Sequence, residues 1–256
     1  MQWDDLRLTA ALFGIALSSL ALPALAGQPL ETETARLPAK GQGSAEFGLE
    51  YLTGKDGREL IAPILIRYGI TDRLQLTLEP VPYRAINPKV GRSLHGIGDT
   101  EVILTYMLAH ETAQRPALAL AGEVKFPTAK SPSQGTGVAD YRMFGIASKR
   151  VGRFDLHANA GFTIVGEPKG AKLSNIVDYA VAAEYALTPR STLMAEVFGE
   201  SPVGKSSTLS VQEETTVVTG MVGGRFRLSD RAQLWLAVTY DSEGEAVLKP
   251  GLAFKF

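Results

Sequence analysis

Hydrophobic and polar positions alternate along this chain in stretches of about ten residues, the length a tilted strand needs to cross a bilayer. Ala45, Phe47, Leu49 and Tyr51 fall on one face of the first such stretch, with Glu46, Gly48 and Glu50 on the other. The next sets Leu74, Leu76 and Leu78 against Gln75, Thr77 and Glu79. Val102, Leu104, Tyr106 and Leu108 oppose Glu101 and Thr105. Phe154, Leu156, Ala158, Ala160, Phe162 and Ile164 oppose Asp155, His157, Asn159 and Thr163. Leu234, Leu236, Val238 and Tyr240 line one face of a late strand. Helical spacing fits none of these segments. Two segments alternate poorly: 61–69 is apolar on both faces, and 141–149 has ambiguous parity.

A weak repeat punctuates the strands. Tyr68–Leu76, Tyr185–Leu193 and Phe226–Leu234 each carry an aromatic, an aliphatic two residues on, Thr or Ser, Asp or Pro, an arginine, and a leucine three residues later. Ser or Thr with Asp or Pro is turn chemistry, and the aromatic suits the end of a strand at interface height. These are tight turns on one rim. Val81–Gly96, Thr128–Ala139, Glu167–Leu173 and Ser201–Glu214 are longer, rich in Gly, Pro and Ser, and belong to the other rim. The asymmetry predicts an all-β fold: a transmembrane antiparallel up-and-down β-barrel with short periplasmic turns and longer extracellular loops. Strands are expected near 44–53, 60–69, 73–82, 97–109, 116–127, 139–150, 153–166, 174–187, 190–200, 215–227, 231–241 and 246–256. That is about twelve, an even number, with both termini periplasmic.

The chain ends support this reading. The closing segment puts Leu252, Phe254 and Phe256 on one face, and Lys249, Gly251, Phe254 and Phe256 resemble the closing-strand signal by which bacterial outer-membrane barrels are assembled. At the other end Leu8–Leu22 is an apolar run followed by Pro23 and a small-x-small pair, Ala24 and Ala26. This predicts an export signal over 1–26, cleaved after Ala26. Asp4 and Asp5 against Arg7 depart from the usual positive n-region, so an uncleaved anchor is the alternative. No later stretch is long and apolar enough for a helical span. Residues 27–43 have no period and form a periplasmic arm or an N-terminal plug; 44–256 form the barrel.

Charge and composition narrow the chemistry. The 26 Lys and Arg and 27 Asp and Glu become 25 of each once Arg7, Asp4 and Asp5 leave with the signal. No basic excess points to nucleic acid. The chain has no cysteine, which excludes disulfides and thiolate chemistry. Parity sends Glu79, Asp155, Asp178, Glu200, Arg73, Arg227 and Lys255 inward. It also sends inward the candidate constriction residues: Glu46, Glu50, Arg67, Glu101, Glu123, Lys125, His157, Glu184, Glu196 and Arg225. These charges either form an internal salt-bridge lattice or select solutes in a narrow lumen. Glu123 with Lys125 and His157 is the favoured constriction.

Catalytic, metal and cofactor chemistry find little support. Three histidines are scattered, and only His157 lies on a strand, with no His-x-Ser to supply a nucleophile. A lipid hydrolase is therefore a minor alternative, and no cofactor is expected. A non-conducting surface barrel would place function in Val81–Gly96 and Ser201–Glu214. A soluble sandwich would leave too many Leu, Val and Phe in water.

The stretches Gly96–Leu108, Arg115–Tyr141 and Ser148–Gly166 resemble the outer-membrane barrels named for the MetA pathway of phenol degradation. The matching pieces are Gly98–Asp99 opening a strand, the strand Pro116–Thr128, the Gly-rich loop ending at Asp140–Tyr141, and Ser148–Phe162. The resemblance implies a passive outer-membrane channel for small, aromatic or hydrophobic molecules in a Gram-negative cell. It carries over no catalytic or binding residue. The expected partners are outer-membrane lipids and lipopolysaccharide, the barrel-assembly machinery and a small-molecule solute.

Overall fold

A computed structural model describes residues 28–129, 134–169, 173–203 and 216–256. The proposed cleavage residues Ala24 and Ala26, and most of the loop 201–214, lie outside the described residues. Twelve antiparallel strands form one sheet that closes on itself. The first four are each broken in two: β1 (Gly43–Gly48 and Glu50–Thr53), β2 (Gly57–Ala62 and Ile64–Thr71), β3 (Leu74–Pro80 and Tyr83–Pro88) and β4 (Leu94–Gly96 and Thr100–Ala109). The others are β5 (Ala117–Phe126), β6 (Asp140–Val151), β7 (Phe154–Ile164), β8 (Asn175–Ala186), β9 (Ser191–Val203), β10 (Val217–Arg227), β11 (Ala232–Asp241) and β12 (Ala246–Lys255). Each pairs with its sequence neighbour, and β12 closes onto β1 with Ser44 opposite Lys255 and Gly48 opposite Gly251. Among the described residues closure leaves an unpaired edge only on the short outer piece Leu94–Gly96, and a closed wall is the condition for burying backbone amides in lipid.

Period two dictates what faces where. Phe47, Leu104, Leu108, Phe154, Leu236 and Tyr240 point outward and stay exposed, whereas Glu46, Ile103, Met107, Asp155, Trp235 and Ala237 on the alternate face are buried. A soluble protein would not leave the first set in water; against acyl chains it is the stable arrangement. Tyr68, Tyr106, Phe154, Tyr185, Phe226 and Phe254 sit at the periplasmic strand ends, where amphipathic rings belong.

Three expectations change. Val81–Gly96 reads as a loop because of its prolines, yet Tyr83–Pro88 pairs with Gly57–Ala62 and with Leu94–Gly96, so the hairpin continues outward as strand. Prolines interrupt a ladder without ending it when pairing resumes beyond them. Arg73 does not face the lumen; it is exposed in the β2–β3 turn. The poorly alternating segments also have a cause. Leu65, Phe144 and Ile146 are apolar residues on the inward face, buried inside the barrel.

The breaks in β1–β3 and Pro250 of β12 lie side by side. Pro63, Pro82 and Pro250 have no N–H to give a neighbour, so the ladder opens there. The Gly48 N–H donates to the Pro63 carbonyl at 3.1 Å and the Leu49 N–H to the Pro250 carbonyl at 3.0 Å, which satisfies the freed groups.

Candidate functional site

The N-terminal arm, residues 28–42, lies within the barrel wall and occupies its periplasmic half. It enters at the periplasmic rim, where Gly41 and Gln42 exchange backbone hydrogen bonds with Gly69. Arg36 donates to Asp155 at 2.6 Å and to Glu111 at 2.7 Å. The Ala35 N–H donates to the Ser148 hydroxyl at 2.9 Å. The Glu33 N–H donates to Asn159 Oδ1 at 2.5 Å while the Asn159 amide returns a bond to the Glu33 carbonyl at 3.0 Å. The Glu31 and Thr32 N–H groups both donate to the Glu196 carboxylate, at 3.1 and 2.6 Å. Gln28 closes the path, donating its N–H to Glu46 at 2.9 Å.

Apolar contacts fix the same segment. Ala35 packs with Ile103, Ala117, Ala119, Ala121, Phe144 and Ile146; Leu30 packs with Ala182, Met194, Met221 and Ala237. An extended arm without ladder partners is satisfied here by side chains of the wall, each bond contributing about 1 kcal/mol net. Barrel and arm thus solve one problem together: the arm's orphan amides need acceptors, and the wall's inward carboxylates need donors.

The inward charges form two tiers. In the lower tier Glu46 and Glu33 share Arg67, with Glu33 at 3.0 Å, Glu184 holds Arg225 at 2.7 Å, and Arg150 reaches Asp155 at 2.8 Å. Lys249 bridges Glu31 of the arm and Glu50 of the wall, the latter at 3.2 Å. In the upper tier Lys125 pairs with Asp140, Arg84 with Glu59, and Arg142 with Asp178 and with Glu123 at 3.2 Å. The proposed trio does not assemble. Glu123 pairs across to Arg142, whose other neighbour is Thr163, six residues along β7 from His157. That separates Glu123 from His157 by about 20 Å along the strands, and Lys125 by two residues more. Parity gives the face of a residue but not its height.

His157 has another partner. Its Nδ1 lies 2.8 Å from the Ser148 hydroxyl, and its Nε2 faces Asp155 and Glu184, each at 3.7 Å. A serine beside the histidine was not foreseen, because it comes from the preceding strand. The sequence held the signal. Gly152 and Arg153 form a two-residue turn, Gly152 at φ +60°, and that turn pairs Val151 with Phe154 and therefore Ser148 with His157. Ser148 is 1% exposed and already accepts the arm's N–H.

At the rim, burial pushes the Glu111 carboxyl up, but the Arg150 backbone N–H and the Arg36 guanidinium outweigh it and hold the group below the usual glutamate range. The closing segment is equally specific. A Cβ on Gly251 would stand 2.0 Å from Trp235 Cζ2, so only glycine lets the indole lie across β12. Phe254 meets Phe47 edge-on at 6.5 Å. The Phe256 N–H and carbonyl exchange bonds with Gly43, both at 2.9 Å.

Two spaces remain. A cavity of about 670 Å³ fills the extracellular half, bounded by Ile61, Val81, Arg84, Glu101, Lys125 and Gln134. Gln134 reaches in from its loop to the Arg84 carbonyl at 3.2 Å. An apolar notch of about 370 Å³ lies in the wall at the proline break, bounded by Phe47, Leu49, Ile64, Pro82 and Leu252.

Comparison with known proteins now applies. No curated protein sequence matches the chain. The COG4313 outer membrane channel from Pseudomonas putida F1 superposes with a TM-score of 0.68 at 12% identity, covering 90% of this chain and 100% of that one. The NanC porin gives 0.63 at 9% identity, covering 83% and 100%. The KdgM porin in complex with oligogalacturonate gives 0.57 at 10% identity, covering 83% and 99%. These likenesses establish the fold as that of an outer-membrane β-barrel. The model of the family described as "Putative MetA-pathway of phenol degradation" matches residues 26–246, and the chain belongs to that family.

Proposed function

We propose that this protein is a narrow passive channel of the Gram-negative outer membrane, exported by its segment 1–26, that admits small aromatic or apolar-bodied molecules. One observation carries the reading: the lumen is a charged, water-accommodating cavity above an arm held by individually weak hydrogen bonds, rather than an apolar core. Packing alone would fill a barrel with aliphatic side chains. The related channel and porins share the closed wall. The family description adds the aromatic class of cargo. Outer-membrane lipids face the apolar belt, lipopolysaccharide meets the outer rim, and the segment ending at Phe256 is what the assembly machinery would take up.

No reaction is assigned. The Ser148–His157 pair is covered by Ala35 and anchors the arm, so no substrate carbonyl reaches the hydroxyl. The test is planar-bilayer conductance of the refolded mature chain and of Arg36→Ala/Asn159→Ala, with phenol added. Discrete openings, larger in the variant and partially blocked by phenol, are expected. Silence of both folded barrels would overturn the reading.

The notch favours a second route, sideways into the bilayer. It is apolar, it opens at membrane height, and the ladder beside it is already interrupted. Filling it with Leu49→Trp should slow entry of an apolar probe while leaving ion conductance unchanged. Equal loss of both would argue for a single axial path.

A further inference from the structure

The ion pairs of the lumen leave a remainder. Arg67, Arg84, Lys125, Arg142 and Lys249 are each engaged, most of them with two carboxylates. Among the described residues no cation pairs with Glu79, Asp99, Glu101 or Glu196. Asp99 and Glu196 accept backbone N–H bonds. Among the described residues Glu79 and Glu101 make neither ion pair nor hydrogen bond, and they stand directly opposite one another on β3 and β4. Like charges in that position destabilise a sheet. Lys125 flanks Glu101 on the other side but turns to Asp140. A lattice built only for packing would use that lysine to neutralise the pair. Ionisable groups at membrane depth are costly and are kept where a passing charge uses them. Glu101 lines the 670 Å³ cavity, and Glu79 stands beside it as its cross-strand neighbour.

We infer that the lumen selects by charge: it passes cations, and solutes bearing an ammonium group, in preference to anions of the same size, with Glu79 and Glu101 as the selecting pair. The inference rests on the channel reading above. Facing carboxylates at a lumen wall raise the local concentration of cations and repel anions. Such a lumen would repel a polyanion like the oligogalacturonate of the KdgM complex. Arg142 and Lys125 are engaged elsewhere, the first by Glu123 and Asp178 and the second by Asp140.

The experiment is the reversal potential of the mature chain, and of its arm-loosened Arg36→Ala/Asn159→Ala form, across a potassium chloride gradient. Liposome swelling with benzylamine and with benzoate accompanies it. A severalfold preference for potassium over chloride, and faster entry of benzylamine, is expected. Glu79→Gln/Glu101→Gln, isosteric and checked for folding by heat-modifiable mobility, should bring both ratios close to one. A conducting barrel that prefers chloride, or whose ratios the double substitution leaves unchanged, overturns the inference and spares the channel. No conductance from either folded form overturns the channel reading, and the inference with it.

Discussion

The periplasmic and extracellular halves of this barrel are built on opposite terms. Below, strands run unbroken into tight turns, the arm fills the space, and inward polar groups are largely tied to it. Above, four strands are broken, a cavity remains, and two facing carboxylates make no ion pair among the described residues. The difference separates stability from selection. The lower half supplies the cooperative contacts of the fold, and the upper half keeps charges that weaken it.

The harshest test of this contrast is Gly251→Leu. The new side chain would collide with Trp235 and the Phe47 carbonyl at the closing seam, and overpacking there costs at least about 1–3 kcal/mol. We expect loss of the heat-modifiable folded band; a wild-type band would show that the seam yields. Arg36→Ala comes next. It leaves Asp155, buried, with Arg150 and the more distant His157, and unclamps the arm from Glu111. A loss of about 1–3 kcal/mol is expected, discounting the buried-pair figure for the partial exposure of Arg36. It should be read as faster hydrogen exchange over 28–36 with exchange in β7 nearly unchanged.

Acid should act selectively on the same clamp. The Glu111 carboxyl is held below its ordinary value of 4.5, so its contribution is complete above that value and disappears only as pH falls through the lower, folded one. Arm exchange should therefore stay slow at pH 5 and rise in stronger acid, and in Glu111→Gln this acid step should be absent. At the outer rim the sign reverses. Partial burial, then Asp241, Asp56 and Glu243, raise the Glu245 carboxyl, so protonation relieves the turn. That turn should tighten slightly as pH falls toward the ordinary glutamate value of 4.5, with loop exchange as the readout. Smallest is Arg84→Ala, which breaks a half-exposed pair with Glu59 and should cost under about 1 kcal/mol in urea unfolding.

Much of the wall was legible because the side-chain period is two and lipid tolerates no exceptions on one face. Glu46, Arg67, Glu101, Glu184 and Arg225 could be assigned to the interior from alternation alone. Height could not. Glu123 and His157 share a face, yet their separation depends on the registers of β5 with β6 and of β6 with β7. The role of 28–42 was also hidden, since an arm bonded by side chains has no period to read. Phe144 and Ile146 held the clue: two large apolar residues on an inward face call for something apolar to cover, and Ala35 is that cover. The pairing of Glu79 with Glu101 lies beyond local reading, because a broken hairpin of some twenty residues sets its register.

The arm also determines the order in which the molecule can be completed. Several of its bonds reach residues 113 to 218 positions further along the chain. Glu196 and Lys249 must already stand in a curved wall before Thr32 and Glu31 can find them. The first described residues of the polypeptide are therefore the last to settle, and the nascent barrel stays unobstructed until its final strand has locked against its first.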